Sequence, residues 1–177
     1  MKLRIVPIAL TVVLSSVVLF GGWFLYQKLA VQSPLHQIVS TYDGVKNAHI
    51  DIKQDTVNLK LDLEPDTNLQ GLVQKIQQEG TSVIGSKELK IDVEDHSSEE
   101  LNEWWDRAML SVAEAMDNRQ YTGIQTSLEQ LAQASPHLQA KASIDDKNVY
   151  VSLSDGKSAK FIILPRQGGQ MGVWNHV

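Results

Sequence analysis

The chain has 177 residues, 21 acidic against 16 basic side chains, a formal net charge of −5 and no cysteine. The missing thiols exclude disulfides, thiol catalysis and thiolate metal sites. The acidic balance argues against nucleic acid and against docking onto anionic lipid.

Residues 5–26 read IVPIALTVVLSSVVLFGGWFLY, without a charge. A bilayer core of about 30 Å needs about 20 apolar residues in a helix rising 1.5 Å each, so the run predicts a transmembrane helix over 5–27. Thr11, Ser15 and Ser16 can bond back to carbonyls within such a helix. Pro7 falls in the first turn, where its missing N–H matters least. Trp23 and Tyr26 suit the headgroup layer, and Lys28 can snorkel outward.

The rival reading is a cleaved signal peptide. Such a peptide has a shorter apolar region and a small-x-small cleavage site. Here aromatics follow the run, and Leu29-Ala30-Val31 is a poor match. The expectation is an uncleaved signal-anchor. Lys2 and Arg4 precede the run, which places residues 1–4 in the cytoplasm and residues 28–177 outside; Lys28 weighs the other way. Setting Lys2 and Arg4 aside leaves 14 basic against 21 acidic residues, a net −7.

A single extracytoplasmic domain is expected over 28–165, divisible into 33–95 and 96–165. Ser33-Pro34 opens a helix carrying Leu35, Ile38, Val39 and Tyr42, with Gly44 as its left-handed cap. Ala48, Ile50 and Ile52 alternate with polar residues, as do Val57, Leu59, Leu61 and Leu63. Period-2 alternation predicts two strands, each with one wet face, joined at Gln54-Asp55. Thr67 and Gln70 have capping-box spacing before the stripe Leu69, Leu72, Val73 and Ile76, which Gly80 is expected to end. Leu89, Ile91 and Val93 predict a third strand.

Ser97 to Glu100 is a second capping box. Leu101, Trp104, Trp105, Ala108, Met109, Val112 and Met116 trace one face of the helix that follows. A break over 118–123 leads to a helix marked by Ile124, Leu128 and Leu131, ending before Pro136. Three strands close the domain, at 138–144, 149–153 and 161–164, with hairpin turns at 145–148 and 154–157. The tail 166–177 has no periodicity and is expected to be loose. The predicted fold class is α+β: a single N-terminal transmembrane helix, then a small two-layer domain of antiparallel strands with helices packed on one face. The strands form either one sheet or two small sandwiches.

No catalytic, cofactor or metal constellation emerges. There is no GxSxG, SxxK or HExxH, and no two of His36, His49, His96, His137 and His176 have i, i+4 spacing on a helix. His49 and Asp51 share a strand face, but two ligands do not make a site. Asp92, Glu94, Asp95, Glu99 and Glu100 cluster before and at a helix start, where negative charge is stabilised. The glycines at 168, 169 and 172 lack the strand-to-helix context of a phosphate loop. Trp104 and Trp105 point about 100° apart on a helix, so one belongs in the core and the other at its margin or on a partner. Trp104, Trp105 and Met109 are the candidate interface.

The helix–strand–strand–helix–strand order over 34–94 resembles the ring-building motif of secretion and sporulation ring proteins and the related BON domain of periplasmic proteins. The residues that carry it are Tyr42-Asp43-Gly44-Val45-Lys46-Asn47-Ala48-His49-Ile50-Asp51-Ile52 and Thr56-Val57-Asn58-Leu59-Lys60-Leu61. The stretch also resembles the heavy-metal-associated domain, but that family's CxxC is missing, so copper carriage does not carry over. The resemblance implies a packing module for self-assembly or partner contact, and no functional residue.

Function expected from these readings is that of a non-catalytic, membrane-anchored interaction or assembly protein of a bacterial cell envelope. Its partners are membrane lipid through residues 5–26 and either a protein or its own copies, not nucleic acid. The alternative is an anchored sensor or small-ligand module, and behind it an enzyme with an unfamiliar site.

Overall fold

The computed structural model describes residues 5–27, 32–133, 135 and 137–166. The alternating stretches form strands and the three-four stripes form helices, in the order α1 (Ile5–Gln27), α2 (Ser33–Ser40), β1 (Val45–Ile52), β2 (Thr56–Leu63), α3 (Leu69–Ile84), β3 (Glu88–Val93), α4 (Glu99–Asp117), α5 (Tyr121–Gln133), β4 (Gln139–Ile144), β5 (Asn148–Ser154) and β6 (Ala159–Pro165).

The strands make two sheets, ordered β1-β2-β3 and β4-β5-β6. Pairing is antiparallel except between β2 and β3, which run parallel with Leu59 beside Ile91. The expectation of antiparallel strands throughout is corrected here. A parallel pair needs a crossover, and α3 supplies it.

The expected transmembrane helix is also corrected. Side chains of α1 are described at 10–23 and at 25. Among the described residues no helix is long and apolar enough to cross a membrane. The expected tail 166–177 lies outside the described residues except for Arg166. Arg166 is held: Nη1 donates 2.8 Å to the Asp145 carbonyl, and the guanidinium sits 4.7 Å over the Tyr121 ring.

Two cores result. The first joins Leu35 and Val39 of α2, the inward residues of β1 and β2, and Leu69, Leu72, Val73 and Ile76 of α3. The second packs α4 and α5 onto Val149, Val151 and Leu153 of β5 and Leu164 of β6. The second sheet is not wet on its other side. Tyr150 is buried in the first core, with Phe161 and Ile163 packed beside it. Helices therefore cover one face of this sheet and the first half of the domain covers part of the other, which replaces the expected two layers.

Local details shift by a residue or more. Asn68, not Thr67, caps α3: its Oδ1 accepts from Gly71 N at 3.1 Å. Thr67 Oγ1 instead donates 2.9 Å to the Gly44 carbonyl. Ser98, not Ser97, caps α4. Gly80 lies inside α3 and does not end it. A Cβ there would stand 3.3 Å from Leu35 Cδ1, so the glycine lets α2 approach, and Gly85 at φ +66° ends the helix.

Candidate functional site: the outer edge of strand β4

Strand β4 is an outer strand of the second sheet. In an antiparallel pair, alternate residues turn both backbone groups to the partner strand and the residues between turn theirs away. On β4 the away-facing residues include Ala142 and Ile144. Ala142 N donates to Gln125 Oε1 of α5 at 3.3 Å, and the Ile144 carbonyl accepts from Gln70 Nε2 of α3 at 2.7 Å. Two glutamine side chains thus occupy backbone groups that an uncovered edge would offer to another chain.

Each glutamine is placed by a packed helix. The Asn68 cap fixes the first turn of α3, and Tyr42 Oη holds the Asn68 carbonyl at 3.1 Å. Leu69 and Leu72 are buried, which turns Gln70 toward the second sheet. Ile124 and Leu128 anchor α5 in the second core and leave Gln125 beside β4.

A groove of about 530 Å³ runs along this edge. Asp66, Asn68 and Gln70 form one wall; Lys141, Ser143, Ser152 and Ser154 form the other. The lining is rich in amides and hydroxyls. Its chemistry is the exchange of hydrogen bonds. Such a lining suits a peptide backbone better than a reacting centre. A second groove, about 580 Å³, lies between α3, β3 and β6, lined by Gln77, Thr81, Leu89 and Ile163.

Between the grooves the two halves meet at Tyr150. Its Oη donates 2.7 Å to Asp145 Oδ2, and Asp145 Oδ1 accepts from the amides of Lys147 and Asn148. Burial pushes the Asp145 carboxyl up, but the bonds from Tyr150, Asn148 and Lys147 outweigh it and hold the group below its ordinary range. Burial and the adjacent carboxylate push the Tyr150 phenol well above its ordinary value. The pair is a buried joint, not an acid–base couple.

Trp104 and Trp105 are both buried, at 1% and 5% exposure, and Met109 packs against the same core. The structure places both tryptophans inside the second core with no exposed face and Met109, half-buried, at its margin. The large apolar side chain that α4 does display is Leu110, 75% exposed. His137 Nε2 lies 2.9 Å from Glu100 Oε1. Asp95 is bound by Lys160 of β6 at 2.6 Å. Among the described residues, one group could hold a metal ion: Asp62, Glu94 and His96. Glu94 and His96 are near neighbours but Asp62 comes from a different strand, so spacing gave no signal for the group. Gln70 and Gln125 were equally invisible, because a glutamine on a helix has no distinguishing neighbours.

The chain matches no protein-family model and no curated protein sequence.

Proposed function

We propose that the protein is a membrane-associated contact protein, non-catalytic, that engages an extended segment of a protein partner along β4. The observation that carries this reading is α1. Leu10, Val13, Leu14, Val17, Val18, Leu19, Phe20 and Trp23 are each more than 60% exposed. These positions surround the helix, and Ser15 and Ser16 return their hydroxyls to the Thr11 and Val12 carbonyls at 2.8 Å. A helix apolar on all sides needs an apolar surround. Neither core of the domain contains any described residue of α1. Membrane lipid is the surround that fits, and it leaves the acidic domain in water. A domain held at a surface gains effective concentration, so an edge guarded only by two exchangeable glutamine bonds suffices for contact. In this reading residues 34–94 serve as a packing module, as their resemblance to ring-building-motif and BON domains implies.

The test has two arms. Membranes carrying the full chain are washed with alkaline carbonate and then extracted with detergent; the protein should be released by detergent alone. Release by carbonate would assign α1 to a protein partner and overturn the lipid reading. For the edge, Ala142→Pro removes the outward N–H without touching the β5 ladder. Crosslinked partner recovered with this variant should fall sharply while the far-ultraviolet spectrum is unchanged. Undiminished recovery would remove β4 as the contact.

A further inference from the structure

Three ligand-type side chains converge where the first sheet ends and the connection to α4 begins. Asp62 belongs to β2, Glu94 follows β3, and His96 lies in the connection. One ligand atom from each lies within 4.8 Å of the other two. His96 Nε2 stands 3.2 Å from Asp62 Oδ1 and 3.9 Å from Glu94 Oε2.

Two details separate this group from an ordinary surface ion pair. Asp62 Oδ1 is shielded from solvent and receives no hydrogen bond, although the imidazole nitrogen is 3.2 Å away. The two atoms lie side by side, not donor to acceptor. His137 shows the contrast, since its Nε2 does meet Glu100 Oε1 in hydrogen-bond geometry. The second detail comes from the parallel pairing. Leu61 pairs with Val93, which carries the Asp62 and Glu94 carboxylates onto neighbouring strands at the same level. Like charges abreast are destabilising unless a cation is shared between them. Lys60 Nζ meets Glu94 Oε1 at 3.1 Å, which leaves Oε2 on the side of His96.

We propose that Asp62, Glu94 and His96 form a divalent-cation site of zinc type. One imidazole nitrogen and two carboxylate oxygens, with no thiolate, suit a borderline ion that accepts both atom types. Tetrahedral zinc, with bonds of about 2.0–2.2 Å, wants donors roughly 3.4 Å apart. The Asp62–His96 spacing meets that requirement, and rotation of the Glu94 side chain closes the remainder. Three protein ligands leave a fourth position for water or for a side chain of a partner. The ion would tie β2, the end of β3 and the connection into one unit. Asp95, in the same connection, is bonded to Lys160 on β6, so the ion would brace the strap between the two halves.

The test is a calorimetric titration of zinc ion into the tag-free full chain in mild detergent, with thermal melts alongside. One zinc per chain is expected, with a melting temperature that rises with zinc concentration. His96→Ala and Asp62→Asn should each weaken binding by at least about tenfold, because each removes a ligand from an incomplete shell. His137→Ala, at the other histidine–glutamate pair, should leave it unchanged. His96 is exposed and Asp62 is half-buried, and far-ultraviolet spectra check that the variants fold. Equal zinc uptake by His96→Ala and the parent chain, or no heat and no melting shift with the parent, would overturn the site.

Discussion

Tyr150 Oη donates a 2.7 Å hydrogen bond to Asp145 Oδ2 while its ring is buried in the core of the opposite half of the domain. Its neighbours Val149 and Val151 point the other way, into the second core. Strand β5 therefore serves both cores, and Tyr150 is its buried side chain in the first. Gln70, bonded to the Ile144 carbonyl, is a second bridge between the halves.

Removing only the hydroxyl, in Tyr150→Phe, should cost about 1–2 kcal/mol, because the half-buried Asp145 carboxylate loses a donor. Tyr150→Ala also empties the ring site and should cost about 3–5 kcal/mol. Urea unfolding followed by tryptophan fluorescence and by circular dichroism should then give two separated transitions, since the tryptophans of α4 report only the second core. Coincident transitions in Tyr150→Ala would show that the halves are joined elsewhere.

Among the described residues three carboxyls are held below their ordinary range. For Asp145 and Asp95, burial raises the value, but hydrogen bonds from Tyr150 and neighbouring amides at the one, and from Lys160 and Ser97 at the other, more than offset it. For Asp155 the amides of Ser158 and Lys157 lead. A folded value below the unfolded one means stability that is present above the unfolded value, about 3.9, and is lost as pH falls through the folded one. Melting temperature should therefore be insensitive to these groups near neutrality and decline below about pH 4. Asp145→Asn should flatten the acid decline; an identical decline would remove Asp145 from the account.

Much of this fold could be read from local pattern, and the parts that could not share a cause. The strand at 57–63 and the stripe of α3 announce themselves by period. The parallel β2–β3 pair does not, because its partner lies beyond a helix. The two-sided burial of the second sheet left one trace, the unbroken run Phe161-Ile162-Ile163-Leu164, which is the mark of a strand covered on both faces. Gly80 suggested a helix end, yet its reason is the contact with Leu35 from another helix. The β4 edge is set by Gln70 and Gln125, 55 positions apart, and only the tertiary structure brings them to one strand.

The α4 helix separates a core reading of its tryptophans from an interface reading. Trp104 is 1% exposed, and its Nε1 has no hydrogen-bond partner among the described residues. Trp104→Ala should cost about 3–5 kcal/mol. Trp104→Phe should cost less, because it also removes a buried donor without a partner. Leu110→Ala should stay within about 0.5 kcal/mol of the parent. A folded, stable Trp104→Ala that has lost association would restore the indole as a partner contact.

Two glycines at positive φ offer a matched comparison. Gly44, at φ +86°, lies against Thr67, and a Cβ there would collide with the Thr67 side chain that bonds its carbonyl. Gly85, at φ +66°, has open space around it. Gly85, at ψ −130°, sits in a backbone region that side chains avoid, and Gly85→Ala should cost that backbone strain alone, about 1–3 kcal/mol. Gly44→Ala should cost more than that, since Thr67 must move. Combining it with Thr67→Ala, which removes the hydroxyl that a Cβ would strike first, should recover part of the difference; no recovery would place the strain in the backbone.

The last prediction concerns how the β4 edge is guarded. Glutamine amides satisfy its outward groups, yet they are exposed to exchange and hold single bonds at 2.7 and 3.3 Å. Replacing both, Gln70→Ala with Gln125→Ala, leaves the Ala142 N–H and Ile144 carbonyl to water and costs little, because each bond is worth only about 1 kcal/mol net. What changes is the edge itself, which becomes a template for another strand. The double variant should therefore self-associate more strongly than the parent in sedimentation velocity, and Ala142→Pro added to it should reverse the gain by deleting the outward donor. If the double variant sediments as the parent does, the glutamines are not what keeps this edge closed.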